Sequence, residues 1–241
     1  MDFNKITATI KYAIGEIIII SIGLVIALQV TNWSEELNNE KIAANYLNKI
    51  NSDIDVDIES LSLLINQRSE ELKMCDSMIS YFKKKKVSNK KIFEKGFFAI
   101  FIEKGFSPNK VAFNSLLNSG YLKNLNQSSV EEKLNLYYSN ADNVIFVEKK
   151  FNDSTQYVEE LLKEKGFSIE FEEAFKWNNL DTINFTYKKI KKYPDLYSHL
   201  IHSRVFLKEL IELYQDLQKK GREVKLGIGI DLHQTSEALT Q

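Results

Sequence analysis

A single cysteine, Cys75, in 241 residues excludes any disulfide within the chain. Prolines number two, Pro108 and Pro194, and glycines nine, so long stretches contain nothing that breaks a helix. An excess of charge is also missing. The 32 Lys and Arg stand against 33 Asp and Glu, a net charge of −1, which removes the electrostatic footprint of a nucleic-acid-binding domain. Catalytic signatures are absent too: there is no Gly-x-Ser-x-Gly elbow, P-loop or His-Glu-x-x-His. Gly227-Ile-Gly-Ile-Asp231 lacks the strand and turn that make a nucleotide loop. Neither catalysis nor a cofactor is expected.

What the chain does have is one long apolar run. From Ala13 to Val30 the only strongly polar side chains are Glu16 and Gln29. As a helix this run rises roughly 27 Å, close to the ~30 Å hydrocarbon core of a bilayer. Its exit, Ile26-Ala-Leu-Gln-Val-Thr-Asn-Trp33, offers no small-x-small cleavage site, so residues 12–33 read as an uncleaved transmembrane anchor. The Ile/Leu/Val run is too continuous for an amphipathic core helix. Lys5 and Lys11 precede the span and Glu35, Glu36 and Glu40 follow it, which predicts a cytoplasmic tail at 1–11 and a domain outside. Tyr12 and Trp33 are the expected interface anchors.

Within the span, Glu16, Gly23 and Ala27 fall on one helical face, the pattern of a helix-association surface with small residues beside a carboxyl. Two readings of Glu16 stand side by side. It bonds across a helix interface, or it snorkels to the nearby headgroups.

Beyond the span the 3/4 spacing of apolar residues predicts an all-α fold, the anchor running on into a long helix and then an antiparallel helical bundle over 34–226. The first long helix is expected over 34–82, on the stripe Leu47, Ile50, Ile54, Leu61, Ile65, Leu72, Cys75, Ile79 and Phe82, and it reads as a stalk carrying the bundle outward. Arg68 fills one slot of this stripe, which favours a bundle over a strict zipper. Short helices are expected at about 90–104 and 108–119, the second opened by Ser107-Pro108 and closed by Gly120. Phe97 to Ile102 is apolar but too short to cross a bilayer. A second long helix is expected over 129–165, closed by Gly166, with Val130, Leu134, Tyr137, Ala141, Val144, Glu148, Phe151, Thr155, Val158 and Leu162 in near-heptad spacing. Ile169 to Glu173 alternates as a short strand or connector would. A last helix is expected over 195–220, ended by Gly221, with 227–241 a flexible tail.

The motifs Gly15-Glu-Ile17, Ile26-Ala-Leu-Gln29 and Asn32-Trp-Ser-Glu35 resemble the N-terminal signature of an uncharacterised family of bacterial single-span membrane proteins. Ser34 stands where that signature carries Asn. Phe113-Asn-Ser-Leu-Leu-Asn-Ser-Gly-Tyr-Leu122, with Tyr137-Tyr138 downstream, is similar to a second feature of the family. The resemblance implies anchoring in the inner membrane and a domain of unknown function, and brings no catalytic residue.

Candidate chemistry is confined to His199 and His202, three apart on the last helix, with Glu209 or His233 as a third ligand. Without a companion motif they read as surface or interfacial histidines, and no metal is expected. The expected function is a membrane-anchored interaction or scaffold module, a homo-oligomer or the partner of another membrane protein, with the exposed aromatics among Tyr137, Tyr138, Phe171 and Trp177 as contact candidates. The alternative is a ligand-sensing bundle that signals through a separate membrane partner.

Overall fold

The structure, a computed structural model, describes residues 3–84, 100–124, 128–168 and 193–238. Among these every regular element is helical, the all-α class that the periodicity predicted. Helix α1 covers Phe3–Lys84, α2 Val111–Ser119, α3 Ser128–Leu162 and α4 Pro194–Ala238. A 3-10 turn at Tyr121–Asn124 follows α2, and a π-helical turn at Lys163–Phe167 follows α3.

With no proline, and with glycine only at Gly15 and Gly23, α1 runs unbroken for 82 residues, about 120 Å. Its buried face is built from two interleaved series seven residues apart: Leu47, Ile54, Leu61, Arg68 and Cys75, and Ile50, Asp57, Leu64, Glu71 and Met78. That spacing matches the small left-handed wrap of packed helices. Helix α4 runs antiparallel to α1. Cys75 Sγ donates to the Leu200 carbonyl at 3.0 Å, Gln218 Nε2 to the Ile58 carbonyl at 2.9 Å, and Lys225 pairs with Asp55. It is antiparallel to α3 as well, through Tyr214–Glu148 and Lys165–Asp195. Helices α1 and α3 therefore run parallel, α4 packs against both, and α2 with its 3-10 turn leans on α1.

The two predicted terminators with positive φ behave as expected. Gly120 (φ 75°) ends α2, and Gly166 (φ 90°) breaks the helical path after α3 as a kink inside the π-helical turn, with Ser168 again helical. Gly221 does not end a helix. It lies inside α4, where a Cβ would stand 3.2 Å from Ile54 Cγ2 and 3.3 Å from the Tyr137 ring, so glycine serves the close meeting of α1, α3 and α4. Nor is the segment after it a flexible tail: Val224, Ile228 and Asp231 are buried and the helix reaches Ala238. Residues 239–241 lie outside the described set.

The part of the 34–82 helix that can serve as a stalk is short. Ala43, Leu47 and Ile50 are already buried, so α1 is a wall of the bundle from about 15 Å past Trp33 onward. Past the Lys225–Asp55 pair, α4 descends thirteen more residues, roughly 20 Å, back toward the apolar end of α1. The helix expected at about 90–104 is not seen where the chain is described, since residues 100–110 form a turn and an irregular strap. Ile100 and Phe101 are core, in keeping with a segment too short to be an anchor. Helix α2 starts at Val111 rather than Pro108. Residues 85–99 and 169–192 lie outside the described set. So do the expectations for the 169–173 segment, Phe171 and Trp177.

Candidate functional site

Three of the core slots of α1 are polar, and they point to one place. Asp57, Arg68 and Glu71 face the strap of residues 100–110, which lies along α1 and α3. Arg68 is fully buried, and its two terminal nitrogens divide their work. One donates to Glu71 at 2.9 Å, the other to the Lys104 carbonyl at 2.9 Å. The Lys104 ammonium returns to Glu71, and Asn152 of α3 donates to the same Lys104 carbonyl at 3.2 Å. Glu148 of α3 accepts the Phe106 N–H on both oxygens at 2.9 Å and the Tyr214 hydroxyl at 2.6 Å. Asp57 accepts the Asn109 N–H at 3.0 Å, its side-chain amide at 2.9 Å and the Tyr137 hydroxyl at 3.0 Å. Tyr138 completes the set by donating to the Asn109 carbonyl at 3.1 Å. Every backbone group of the strap named here is thus satisfied by a side chain from α1 or α3.

The electrostatics follow from burial. Burial raises the carboxyls of Asp57 and Glu148 above the ordinary carboxylate range, with the donated hydrogen bonds working against it. Burial acts to lower the Arg68 guanidinium, but the Glu71 carboxylate and Tyr214 outweigh it and the group is raised. Arg68 also rests over the Phe151 ring, 5.2 Å from its centroid. Glu71, Glu148, Arg68 and Lys104 balance in formal charge. Removing one member of such a set costs about 3–5 kcal/mol, because it strands a buried charge.

The remaining predicted residues fall in three groups. Glu16, Gly23 and Ala27 lie on α1 without cover from the bundle, as does Trp33; the Tyr12 side chain lies outside what the structure describes. The structure does not make Tyr137 and Tyr138 exposed contact aromatics. Both are buried, one on Asp57 and the other stacked on Phe113 with ring centroids 4.2 Å apart. A hydroxyl that reaches an acceptor lets a tyrosine lie in the core; Tyr137 already stood on the apolar stripe of the second long helix, whereas Tyr138 stood beside it. The histidines part company. His199 is buried beside Ser203, stacked on Phe101 and pushed down to about 4 by burial, whereas His202 is exposed against Phe206. They are not brought together as a ligand pair, and no group of three or more His, Cys, Asp or Glu suited to a metal occurs among the described residues. Cys75 is a buried thiol raised to about 12 by burial, an inert core residue as expected.

Of this network, Arg68 and Glu148 were legible as stripe residues and Tyr214 as an apolar member of the last helix, whereas Asp57, Glu71, Lys104 and Asn109 were missed. The signal for Asp57 and Glu71 was present: each sits seven residues from apolar members of its own series, Ile50 and Leu64 for one, Leu64 and Met78 for the other. Lys104 and Asn109 carry no periodic signal, because a strap has no period.

Residues 16–187 also match the model of a family of unknown function, DUF6090. The chain belongs to that family. The DUF6090 match takes in the apolar segment from Glu16 onward, the strap, α2 and α3, so Asp57, Arg68, Glu71, Lys104 and Glu148 lie within it and Tyr214 lies outside. No curated protein and no solved structure matches the chain.

Proposed function

We propose that this DUF6090 protein is a single-span anchored scaffold of the bacterial inner membrane, with its N-terminal tail in the cytoplasm and its helical bundle outside. The observation that carries the reading is the contrast within one helix. The 18-residue apolar window of α1 is 0% buried by the rest of the chain, while the same helix from Ala43 onward is a wall of the core. Leaving that much aliphatic surface in water is unfavourable at about 25 cal/mol per Å², and a bilayer removes the cost. The excess of lysine before the span and of glutamate after it supports the orientation.

Function on this reading is association and not catalysis. The Glu16, Gly23 and Ala27 face meets another span, from a second copy or a membrane partner, and the strap network holds the bundle in one shape. Carbonate washing and protease treatment of spheroplasts test it together. The chain is expected to stay in the washed membrane pellet, and external protease to remove the bundle without permeabilising the membrane. Release by carbonate, or protection of the bundle in intact spheroplasts, overturns the anchor or its orientation.

A further inference from the structure

Helix α1 carries a second face, directed away from α4. At about 100° per residue, Ala27, Ser34, Asn38, Asn45, Ser52, Val56 and Leu63 lie within about 20° of one line along the helix. All seven are exposed. Val56 and Leu63, 58% and 59% exposed, are the only large apolar side chains that α1 exposes past Trp33 among the described residues, and both fall on this line. Charge is kept off it. Lys41, Lys49 and Glu59 flank it at about 40° and Asp55 at about 80°, and the stretch without charge on the line itself is bracketed by Glu16 and Glu70.

From this we infer that the outer face of α1 pairs with the same face of a second copy, parallel and in register, from Ala27 in the span to Leu63 in the bundle. The inference rests on the proposed membrane anchor and names the partner that the span face leaves open. The anchor supplies the argument for the occupant. Two copies held by the same span in one bilayer stand at equal height, so each residue of α1 meets its own twin. A charged residue on such a line would face an identical charge, at a cost that an in-register pair cannot relieve. A different protein carries no such constraint, and a face adapted to one would bear charges complementary to the partner. Small and amide side chains at Ala27, Ser34, Asn38, Asn45 and Ser52 permit close approach, and Val56 and Leu63 supply the apolar contact outside the membrane.

The test is disulfide crosslinking of the full-length chain in native membranes, with cysteine placed singly at Ala27, Ser52, Leu63 and, on the exposed face of α4, Arg222. The native chain is the blank, since its only cysteine is buried. Dimers are expected from Ala27→Cys, Ser52→Cys and Leu63→Cys and not from Arg222→Cys. Dimers from Ala27→Cys alone overturn the outer pairing and leave the span association standing. Dimers from none of the three overturn both. Dimers from all four positions signify random collision and overturn the pairing too. A charge pair decides independently. Adding Val56→Glu and Leu63→Glu to Ser52→Cys should lower the dimer yield at least tenfold, and coexpression with a Val56→Lys, Leu63→Lys partner that also carries Ser52→Cys should restore it. Unchanged yield in the glutamate chain overturns the inference.

Discussion

At the scale of single residues, protonation separates two kinds of buried group. Asp57 and Glu148 have raised carboxyls, so the folded chain holds their protons more tightly than the unfolded chain does. Their contribution to stability is complete below the ordinary carboxylate range and is lost as pH rises through the raised folded values. His199 works the other way. Lowered to about 4, it stays neutral in the fold while the unfolded chain takes up a proton near 6.5, so its contribution is present above 6.5 and is lost as pH falls toward 4. The histidine effect is on the order of 3 kcal/mol. Thermal unfolding of the full-length chain in mild detergent between pH 7.5 and 4.5 checks this. His199→Gln should gain stability relative to the native chain on acidification, and Asp57→Asn should lose it. Three parallel profiles would show that neither group controls the response.

At the scale of the elements, glycine positions carry opposite expectations along one helix. Gly221→Ala forces a Cβ against Ile54 and Tyr137 and should destabilise by about 1–3 kcal/mol. Gly229 is also in α4, but a Cβ there meets nothing within 4 Å, so Gly229→Ala should stabilise by roughly 1 kcal/mol through helix propensity alone. Denaturant midpoints of the two variants measure the difference, and equal shifts would contradict the packing of α4. The same residues show how far the sequence could be read. Helix α1, α3 and their stripes were legible because core residues recur at helical spacing. The passage of α4 through Gly221 was not, because a glycine chosen for a close helix crossing looks in sequence like a glycine chosen to stop a helix. The strap was illegible for a related reason. Its shape is set by Asp57, Arg68 and Glu148, and the Asn109 N–H that a helix beginning at Pro108 would leave free is taken by Asp57. Val205 shows the same rule from the other side: five residues after the buried Leu200 and two before the buried Leu207, it is off the 3/4 stripe of α4 and is 60% exposed.

At the scale of the whole molecule, the segment expected to be a tail is part of the core. Ending the chain after Lys225 would remove the cover provided by Ile228 and Asp231 at the end where Ala43, Leu47 and Val130 are buried. That truncation should lower the unfolding midpoint by about 4–16 °C, on the order of 2–4 kcal/mol for a chain of this size. A midpoint within about two degrees of the native one would return 226–241 to the status of a tail. The position of α4 also governs when the fold can form. The two parallel helices meet chiefly through it, and its contacts join residues as far apart as Asp55 and Lys225. Since α4 follows α1, the strap and α3 in chain order, the bundle described here cannot close before α4 has been made. Arg68, Glu71 and Glu148 stay hydrated until α4 arrives to seal them in. Closure of the bundle is therefore a long-range event that follows the local formation of α1 and α3, and it is expected to be the slow step of folding.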